Sequence, residues 1–209
     1  MADAGKPTDW IKMKIDPEIF EELGVRDPEE TKREMAITKK TRQINKELKA
    51  DPNNIDLQVE LATLMIDGAS YEDAIKMLIA IRNKRPKDAK VYKLLGTAYV
   101  LFNHEEEAML EMNRACELDP SDAENHFNLG GLYLLRDMYS NAATSFEKVI
   151  ELDPADTTAY ANLAAAYDML KLYDKEIVAL KKVLMFNPED KELRAALSNA
   201  YFHAERYEE

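Results

Sequence analysis

Apolar positions recur with a period of 34 residues along residues 51–209, and within each period they are spaced three and four apart, as on one face of a helix. The clearest column is Leu61, Leu95, Leu129, Leu163 and Leu197. A column of small residues follows it directly: Ala62, Gly96, Gly130, Ala164 and Ser198. Because small residues let two helices approach closely, the pattern predicts tightly packed helix pairs.

Helix boundaries repeat with the same period. Each period carries a proline, at Pro52, Pro86, Pro120, Pro154 and Pro188. Two positions later stands an Asn or Asp, namely Asn54, Asp88, Asp122, Asp156 and Asp190. Proline stops a preceding helix, and an Asn or Asp side chain caps the next one. Each unit is therefore predicted to contain two antiparallel helices joined by a short turn, such as Arg136-Asp137-Met138.

The segment Asn128-Leu-Gly-Gly-Leu-Tyr133, followed by Ala142, Phe146 and Asp153-Pro154, resembles the tetratricopeptide repeat. The resemblance extends over residues 53–209. It implies an all-α, right-handed α-solenoid whose first helices line a concave groove, and a role in protein–protein interaction. We expect residues 51–209 to form four full repeats and a partial fifth. Glu176 departs from the pattern because it replaces an alanine, and we expect it to reach solvent or to pair with a lysine.

The first 50 residues lack the repeat columns. Residues 28–50 are predicted to form an N-terminal capping helix, because Asp27 is a cap residue and Pro28 suits a first turn. Residues 1–27 are predicted to form an extension with a short helix between Asp16 and Gly24. Its apolar residues are Trp10, Ile11, Ile15, Ile19, Phe20 and Leu23. Two interpretations remain open: this segment packs on its own array, or it contacts another chain.

The charge balance narrows the range of partners. With 40 Asp+Glu against 28 Lys+Arg, the chain has a net charge of -12, which disfavours nucleic acid and anionic membrane surfaces. The single cysteine, Cys116, excludes a disulfide framework and a cysteine-rich metal site. No apolar run is long enough to insert into a membrane, and no signal peptide is visible. We therefore expect a cytoplasmic protein.

Catalytic motifs are missing from the sequence. It has no Gly-rich phosphate loop, no HExxH and no CxxC, so we expect no enzymatic activity, no cofactor and no metal. His126 falls in a core column and is interpreted as a structural histidine. Cys116 lies among apolar residues of a helix, which favours a buried, unreactive thiol.

Helical geometry turns a further set of first-helix positions toward the groove. These candidate peptide-binding residues are Lys90, Lys93, Leu94, Thr97, Leu101, Phe127, Asn128, Gly131, Leu135, Ala161, Asn162 and Ala165. Asn128 and Asn162 are 34 residues apart, and their amides suit the backbone of an extended peptide. The alternative is that both amides bind neighbouring helices. Lys90 and Lys93 close a basic cluster that begins at Arg82, which is either a solvated loop or a site for acidic residues.

Some members of this family hold a chaperone's C-terminal carboxylate with a Lys/Asn/Asn/Lys/Arg set. Here only Lys93 and Asn128 match that set, while Thr97, Thr158 and Asn162 replace the rest, so a chaperone-tail adaptor is disfavoured. We expect a noncatalytic scaffold or adaptor that binds an extended, aliphatic and acidic segment of a protein partner. The alternative is a structural protein that forms a homo-oligomer through its N-terminal segment or its C-terminal face.

Overall fold

The computed structural model describes residues 27–204, and every regular element in that range is an α-helix. The ten helices are α1 (Pro28–Ala50), α2 (Ile55–Asp67), α3 (Tyr71–Lys84), α4 (Ala89–Leu101), α5 (Glu105–Leu118), α6 (Ala123–Leu135), α7 (Tyr139–Leu152), α8 (Thr157–Met169), α9 (Tyr173–Phe186) and α10 (Lys191–His203). The predicted all-α class is confirmed. The chain divides into two compact units, one ending at Gly68 and one beginning at Ala69. The short helix expected between residues 16 and 24 lies outside the described residues.

In the first unit, α1 packs against α2 along one narrow face. Asp27 caps α1 by accepting a hydrogen bond from the Glu29 N–H at 2.8 Å. Ile44 is the buried residue of α1, and Lys40 Nζ forms an ion pair with Glu60 at 2.8 Å. The thin apolar stripe of residues 28–50 therefore corresponds to a helix that touches its neighbour on one side.

In the second unit, helices α3 to α10 each pack against the next in chain order. Leu95, Leu129 and Leu163 of the predicted leucine column are buried between them. The small-residue column explains the close packing, since a Cβ built on Gly130 would lie 2.9 Å from the Phe146 ring. A Cβ on Gly96 would lie 2.6 Å from Cγ of Met112. These two glycines sit where the facing side chain occupies the space of a Cβ.

The predicted caps are present at the start of each first helix of the second unit. Asp88, Asp122, Asp156 and Asp190 accept hydrogen bonds from backbone N–H groups of the helices that they precede, at 2.9–3.2 Å. A second contact from inside the helix, to the carbonyl of the preceding proline, is present at three of these four junctions. Tyr92 Oη donates to the Pro86 carbonyl, and His126 Nε2 lies 3.1 Å from the Pro120 carbonyl. His126 therefore has the structural role that its column predicts.

The turns inside the repeats share a backbone feature that the sequence pattern does not display. Ala69, Asn103, Asp137 and Lys171 all have φ between 56° and 59°, and they are 34 residues apart. This left-handed conformation is favourable for glycine and tolerated by Asn and Asp, but it is unfavourable for Ala and Lys.

The structure contradicts both expectations for the Glu176 side chain. It is buried near the start of α9, its Oε2 has no hydrogen-bond partner, and no ion pair joins it to a lysine within residues 27–204. Burial, together with the nearby Asp168 carboxylate, raises the pKa of Glu176 to about 7. The alanines of the equivalent positions, Ala74, Ala108 and Ala142, are fully buried, so the repeat geometry encloses whatever side chain stands there.

Candidate peptide-binding groove

The twelve predicted binding residues lie on α4, α6 and α8, and none of them is buried. We call the exposed side of these three helices the groove face. Its exposed members are Lys90, Leu101, Leu135 and Ala165, and its half-buried members are Lys93, Leu94, Thr97, Phe127, Asn128, Gly131, Ala161 and Asn162. Helices α6 and α8 contact each other directly.

Asn128 and Asn162 present their amides without an internal hydrogen bond. Both side chains are half-buried, and neither bonds to any residue in the range 27–204. This differs from the alternative in which both amides bind neighbouring helices. Each amide can therefore offer two donors and an acceptor to a ligand.

An apolar row lies along the ends of the three helices. Leu101, Leu135 and Met169 are the last residues of α4, α6 and α8, and their exposed fractions are 47%, 68% and 54%. Single exposed apolar residues are common on proteins, but a set repeated once per helix is a surface feature. Met169 lies outside the twelve predicted residues, although the 34-residue period places it in the same column.

The floor of the groove face is open at Gly131. A Cβ built on Gly131 meets no atom within 4 Å, in contrast to the crowded Gly130 beside it. Thr97 and Ala165 hold the equivalent positions on α4 and α8. The Thr97 hydroxyl donates to the Lys93 carbonyl at 3.0 Å, so this polar group is already satisfied. The floor therefore consists of small residues, with open space at Gly131.

Phe127 is shared between the groove face and the core. Its ring meets that of the fully buried Phe146 edge-on, with centroids 5.6 Å apart. Aromatic pairs in this geometry are favourable, so the ring is held in place by the core. Phe127 can offer a ligand only the part of its surface that remains exposed.

The ammonium group of Lys93 already forms ion pairs with carboxylates of the same chain. Its Nζ lies 3.0 Å from Asp122 Oδ2 and 2.8 Å from Glu124 Oε2. Partial burial opposes the charge of Lys93, but the hydrogen bonds to Glu124 and Asp122 outweigh it and raise the lysine pKa. Asp122 also caps α6, so Lys93 is a structural link from α4 to the start of α6. Sequence reasoning missed this link, although a cap residue followed by an acid two positions later was the available signal.

The charges of the groove face lie at the starts of its helices. Lys90 on α4 and the exposed Glu124 on α6 hold equivalent positions one repeat apart, and Thr158 holds that position on α8. The positions that follow on α6 and α8 are uncharged: Phe127, Asn128, Gly131, Leu135, Ala161, Asn162, Ala165 and Met169. At the α4 end, Lys90 is exposed and Lys93 is neutralised by its two acidic partners.

Other sites offer less chemistry. Within residues 27–204 no three His, Cys, Asp or Glu side chains converge as ligands of a metal ion. No helix in that range is long and apolar enough to cross a membrane. Burial raises the pKa of the Cys116 thiol to about 11, which suppresses the reactive thiolate as the sequence predicts.

Two equivalent clefts lie away from the groove face. One is formed by α5, α6 and α7 and includes Cys116, Tyr133 and Asn141, and the other repeats it 34 residues later on α7, α8 and α9. Tyr133 donates to Asn113 at 3.2 Å, and Tyr167 donates to Glu147, so the tyrosine hydroxyls in both clefts are satisfied internally. These clefts result from the packing of successive repeats, and the exposed Asn141 lies in the first of them.

Comparison with protein families places this architecture among known repeats. Two models, both described as tetratricopeptide repeat, match the chain, one at residues 45–98 and the other at residues 89–122 and 123–156. Together they span residues 45–156, which is more than half of the chain. No curated protein matches the chain significantly in sequence.

Solved structures share the fold. A crystal structure of MamA is 27% identical, has a TM-score of 0.68, and is matched over 78% of this chain and 96% of that chain. A second MamA structure is 24% identical, with a TM-score of 0.66 over 92% and 95% of the two chains. A tetratricopeptide repeat protein from Parabacteroides merdae ATCC 43184 is 17% identical, with a TM-score of 0.67 over 90% and 73%. The predicted α-solenoid class is thereby confirmed.

Proposed function

Because the chain belongs to the tetratricopeptide repeat family, a family of protein-interaction modules, we propose that it is a noncatalytic adaptor that binds an extended peptide segment of a protein partner. The proposed site is the groove face of α4, α6 and α8. The family supports the general role of an interaction scaffold, and the residues of the groove face supply the specific mode of binding.

The observation that carries this proposal is the pair of free amides, Asn128 and Asn162. They stand one repeat apart on helices in contact, with no internal partner among the described residues. An extended peptide has backbone N–H and C=O groups that such amides can bind, each bond contributing about 0.5–1.5 kcal/mol. Beside them, the apolar row can bury aliphatic side chains of the same segment, at about 25 cal/mol for each Å² removed from water.

The charge at the α4 end suits an acidic residue at one end of the segment. Lys90 is exposed there, and no ion pair of its side chain occurs in the described structure. Lys93 is held by Asp122 and Glu124, so we assign the electrostatic contact to Lys90 alone. An exposed charge of this kind mainly accelerates association and gives a binding rate that falls with salt.

Filling the open floor tests the groove directly. In Gly131→Leu the new side chain enters empty space, so the protein should still fold. The leucine should block the position that the peptide would occupy. The matched control is Asn141→Leu, which adds bulk at an exposed position of α7. Immobilised wild type, Gly131→Leu and Asn141→Leu are compared by pull-down and quantitative mass spectrometry, with circular dichroism to verify folding.

We expect a partner that is retained by wild type and Asn141→Leu and is depleted at least about tenfold on Gly131→Leu, which corresponds to about 1.4 kcal/mol. Retention of the same partners by folded Gly131→Leu at wild-type levels contradicts the groove. Depletion on Asn141→Leu instead assigns binding to the cleft of α5, α6 and α7.

Self-association is the second candidate, and exposed apolar residues near the end of the array favour it. Met185 and Phe186, at the end of α9, are 73% and 58% exposed. Burying such residues against another copy is favourable. Light scattering during size-exclusion chromatography tests this candidate, with Phe186→Lys as the disrupting variant. A dimer that Phe186→Lys dissociates supports it, and a wild-type monomer at all concentrations rejects it.

A further inference from the structure

We propose that the cleft formed by α7, α8 and α9 binds an arginine side chain of a protein partner, at a second site that is separate from the groove face. The guanidinium group would stack on the tyrosines of α8 and pair with Glu147, while its aliphatic stem would lie on the apolar floor of the cleft. This inference goes beyond the proposed function, because none of the residues that line the cleft belongs to the groove face.

The lining of this cleft combines an apolar floor with an acidic rim. The buried Leu163 and Ala179 form the floor, and Val178, which is 61% exposed, stands at the opening. Glu147 is exposed at the rim. The cleft has a volume of about 480 Å³, within the range of about 300–1,000 Å³ that is usual for ligand sites. An arginine side chain also has two parts, an apolar stem and a charged head, so it complements both parts of the cleft.

Tyr160 differs from the other residues of its 34-residue column. The remaining members contact the carbonyl of the proline six positions earlier: Gln58, Tyr92, His126 and Arg194. Tyr160 makes no such contact and lines the cleft instead, and its hydroxyl has no hydrogen-bond partner within residues 27–204. Tyr160 therefore offers a ligand both an aromatic ring and a free hydroxyl oxygen that can accept a hydrogen bond.

A cation already lies over the second tyrosine of the cleft. Lys175 Nζ is 5.2 Å from the centroid of the Tyr167 ring, a distance at which a cation is attracted to an aromatic face. The Tyr167 hydroxyl donates to Glu147 and so holds that carboxylate beside the ring. A carboxylate can accept further hydrogen bonds, and a guanidinium group both donates several and stacks on aromatic rings. The ring and the carboxylate therefore suit arginine, in competition with Lys175.

The equivalent cleft one repeat earlier lacks this chemistry. Asn113 stands there at the position of Glu147, and His126 stands at the position of Tyr160. The packing of repeats accounts for the cleft itself but not for the acid and the second tyrosine. Asp174 adds negative charge to the rim, but we assign the ion pair to Glu147 because Asp174 already has an interaction within the chain. The net charge of -12 further attracts a basic partner.

Titration of the isotopically labelled chain with N-acetyl-arginine amide, followed by NMR at constant ionic strength, tests the site. The matched ligand control is the neutral isostere N-acetyl-citrulline amide. We expect arginine to give saturable shifts at the amides of Tyr160, Val178 and Ala179, and citrulline to bind at least about tenfold more weakly. The variant Glu147→Gln, whose amide oxygen can still accept from the tyrosine hydroxyl, should weaken arginine binding, whereas Gly131→Leu should not. Equal binding of citrulline, no saturable shift in the cleft, or loss of the shifts in Gly131→Leu overturns the inference.

Removing the internal cation should have the opposite effect. Lys175→Gln frees the Tyr167 ring and removes a like charge, so arginine should bind about threefold more tightly or better. Lys182→Gln makes the same charge change at an exposed position of α9 outside the cleft, and it should leave the affinity close to that of wild type. Because misfolding does not increase affinity, equal or weaker binding by Lys175→Gln overturns the proposed competition and with it the site.

Selected peptides distinguish a protein partner from a free guanidinium compound. Displayed random peptides are selected on the wild-type chain, and clones that also bind Glu147→Gln are subtracted. We expect the remaining clones to share an arginine and to bind at least about tenfold more tightly than N-acetyl-arginine amide, because neighbouring peptide residues add contacts. Clones without a shared arginine overturn the inference. Affinities no better than that of the single amino acid assign the cleft to a free guanidinium compound and reject a protein partner.

Discussion

At the residue scale, two adjacent glycines of α6 occupy opposite environments. Gly130 faces the ring of Phe146 so closely that a Cβ would lie 2.9 Å from it, whereas Gly131 faces open space. The sequence predicts the first glycine from its small-residue column, because a packing column repeats at each period. The sequence pattern does not distinguish the roles of two adjacent glycines unless the direction in which each one faces on the helix is worked out.

Replacing each of these glycines by alanine separates packing from helix propensity. Gly131→Ala should stabilise the protein by about 1 kcal/mol, because alanine is the better helix former. Gly130→Ala gains the same propensity but must displace the enclosed Phe146 ring, which should cost about 1–3 kcal/mol. Urea unfolding should therefore show Gly130→Ala less stable than Gly131→Ala by about that amount. Equal stabilities would mean that α6 is rotated relative to the described packing.

The left-handed turn residues lead to a second prediction at this scale. Lys171 has a φ of 58°, a conformation that costs a residue with a Cβ about 1–2 kcal/mol. Lys171→Gly relieves that strain but adds freedom to the unfolded chain, so we expect a net stabilisation of about 0.5–1 kcal/mol. Asp137→Gly is the comparison, since aspartate already tolerates this conformation, and its gain should be smaller. A loss of stability in Lys171→Gly would contradict the left-handed geometry.

At the element scale, the sequence predicts the helices well and the contacts between them less well. Caps such as Asp122 and the 34-residue period define helix starts because capping is a local interaction. The pairing of Lys93 with Asp122 and Glu124 joins residues 29 and 31 positions apart, and it depends on how α4 and α6 face each other. The burial of Glu176 likewise follows from its position, because the packing of the repeats encloses every residue of that column. The identity of the side chain itself does not indicate that it is buried.

Glu176 makes the stability of the fourth repeat depend on pH. Its pKa rises from an ordinary 4.5 to about 7 on folding, chiefly through burial and also through Asp168 on α8. The folded chain therefore retains a proton that the unfolded chain releases, and stability falls as pH rises through the window from about 4.5 to 7. Wild type should unfold at lower urea concentration at pH 8 than at pH 5.5.

Two variants isolate the carboxyl group of Glu176. Glu176→Gln removes the titration while keeping the shape, so its urea midpoint should lose the part of the pH dependence between 4.5 and 7. Glu176→Ala restores the residue of the other repeats, and it should exceed wild type in stability at pH 8, where the buried carboxylate is charged. An unchanged pH dependence in Glu176→Gln would show that other groups cause it.

At the scale of the whole molecule, the features that bear on function lie on three successive first helices. The chain has a net charge of -12, yet beyond Glu124 at the start of α6 the groove face of α6 and α8 is uncharged and carries two free amides and an exposed apolar row. The repeat pattern locates that face because the same positions recur in every unit. It could not show that Lys93 is already paired, and for this reason a charge reversal at Lys93 would disturb the fold as well as binding.

The affinity of the captured partner segment for Asn128→Ala/Asn162→Ala, measured by isothermal titration calorimetry, tests the central claim most directly. Asn141→Ala, on the exposed side of α7, is the matched control. Loss of two neutral hydrogen bonds at about 0.5–1.5 kcal/mol each predicts that the double variant binds about five- to hundredfold more weakly, while the control binds like wild type. Wild-type affinity in a folded Asn128→Ala/Asn162→Ala variant would contradict binding on the groove face.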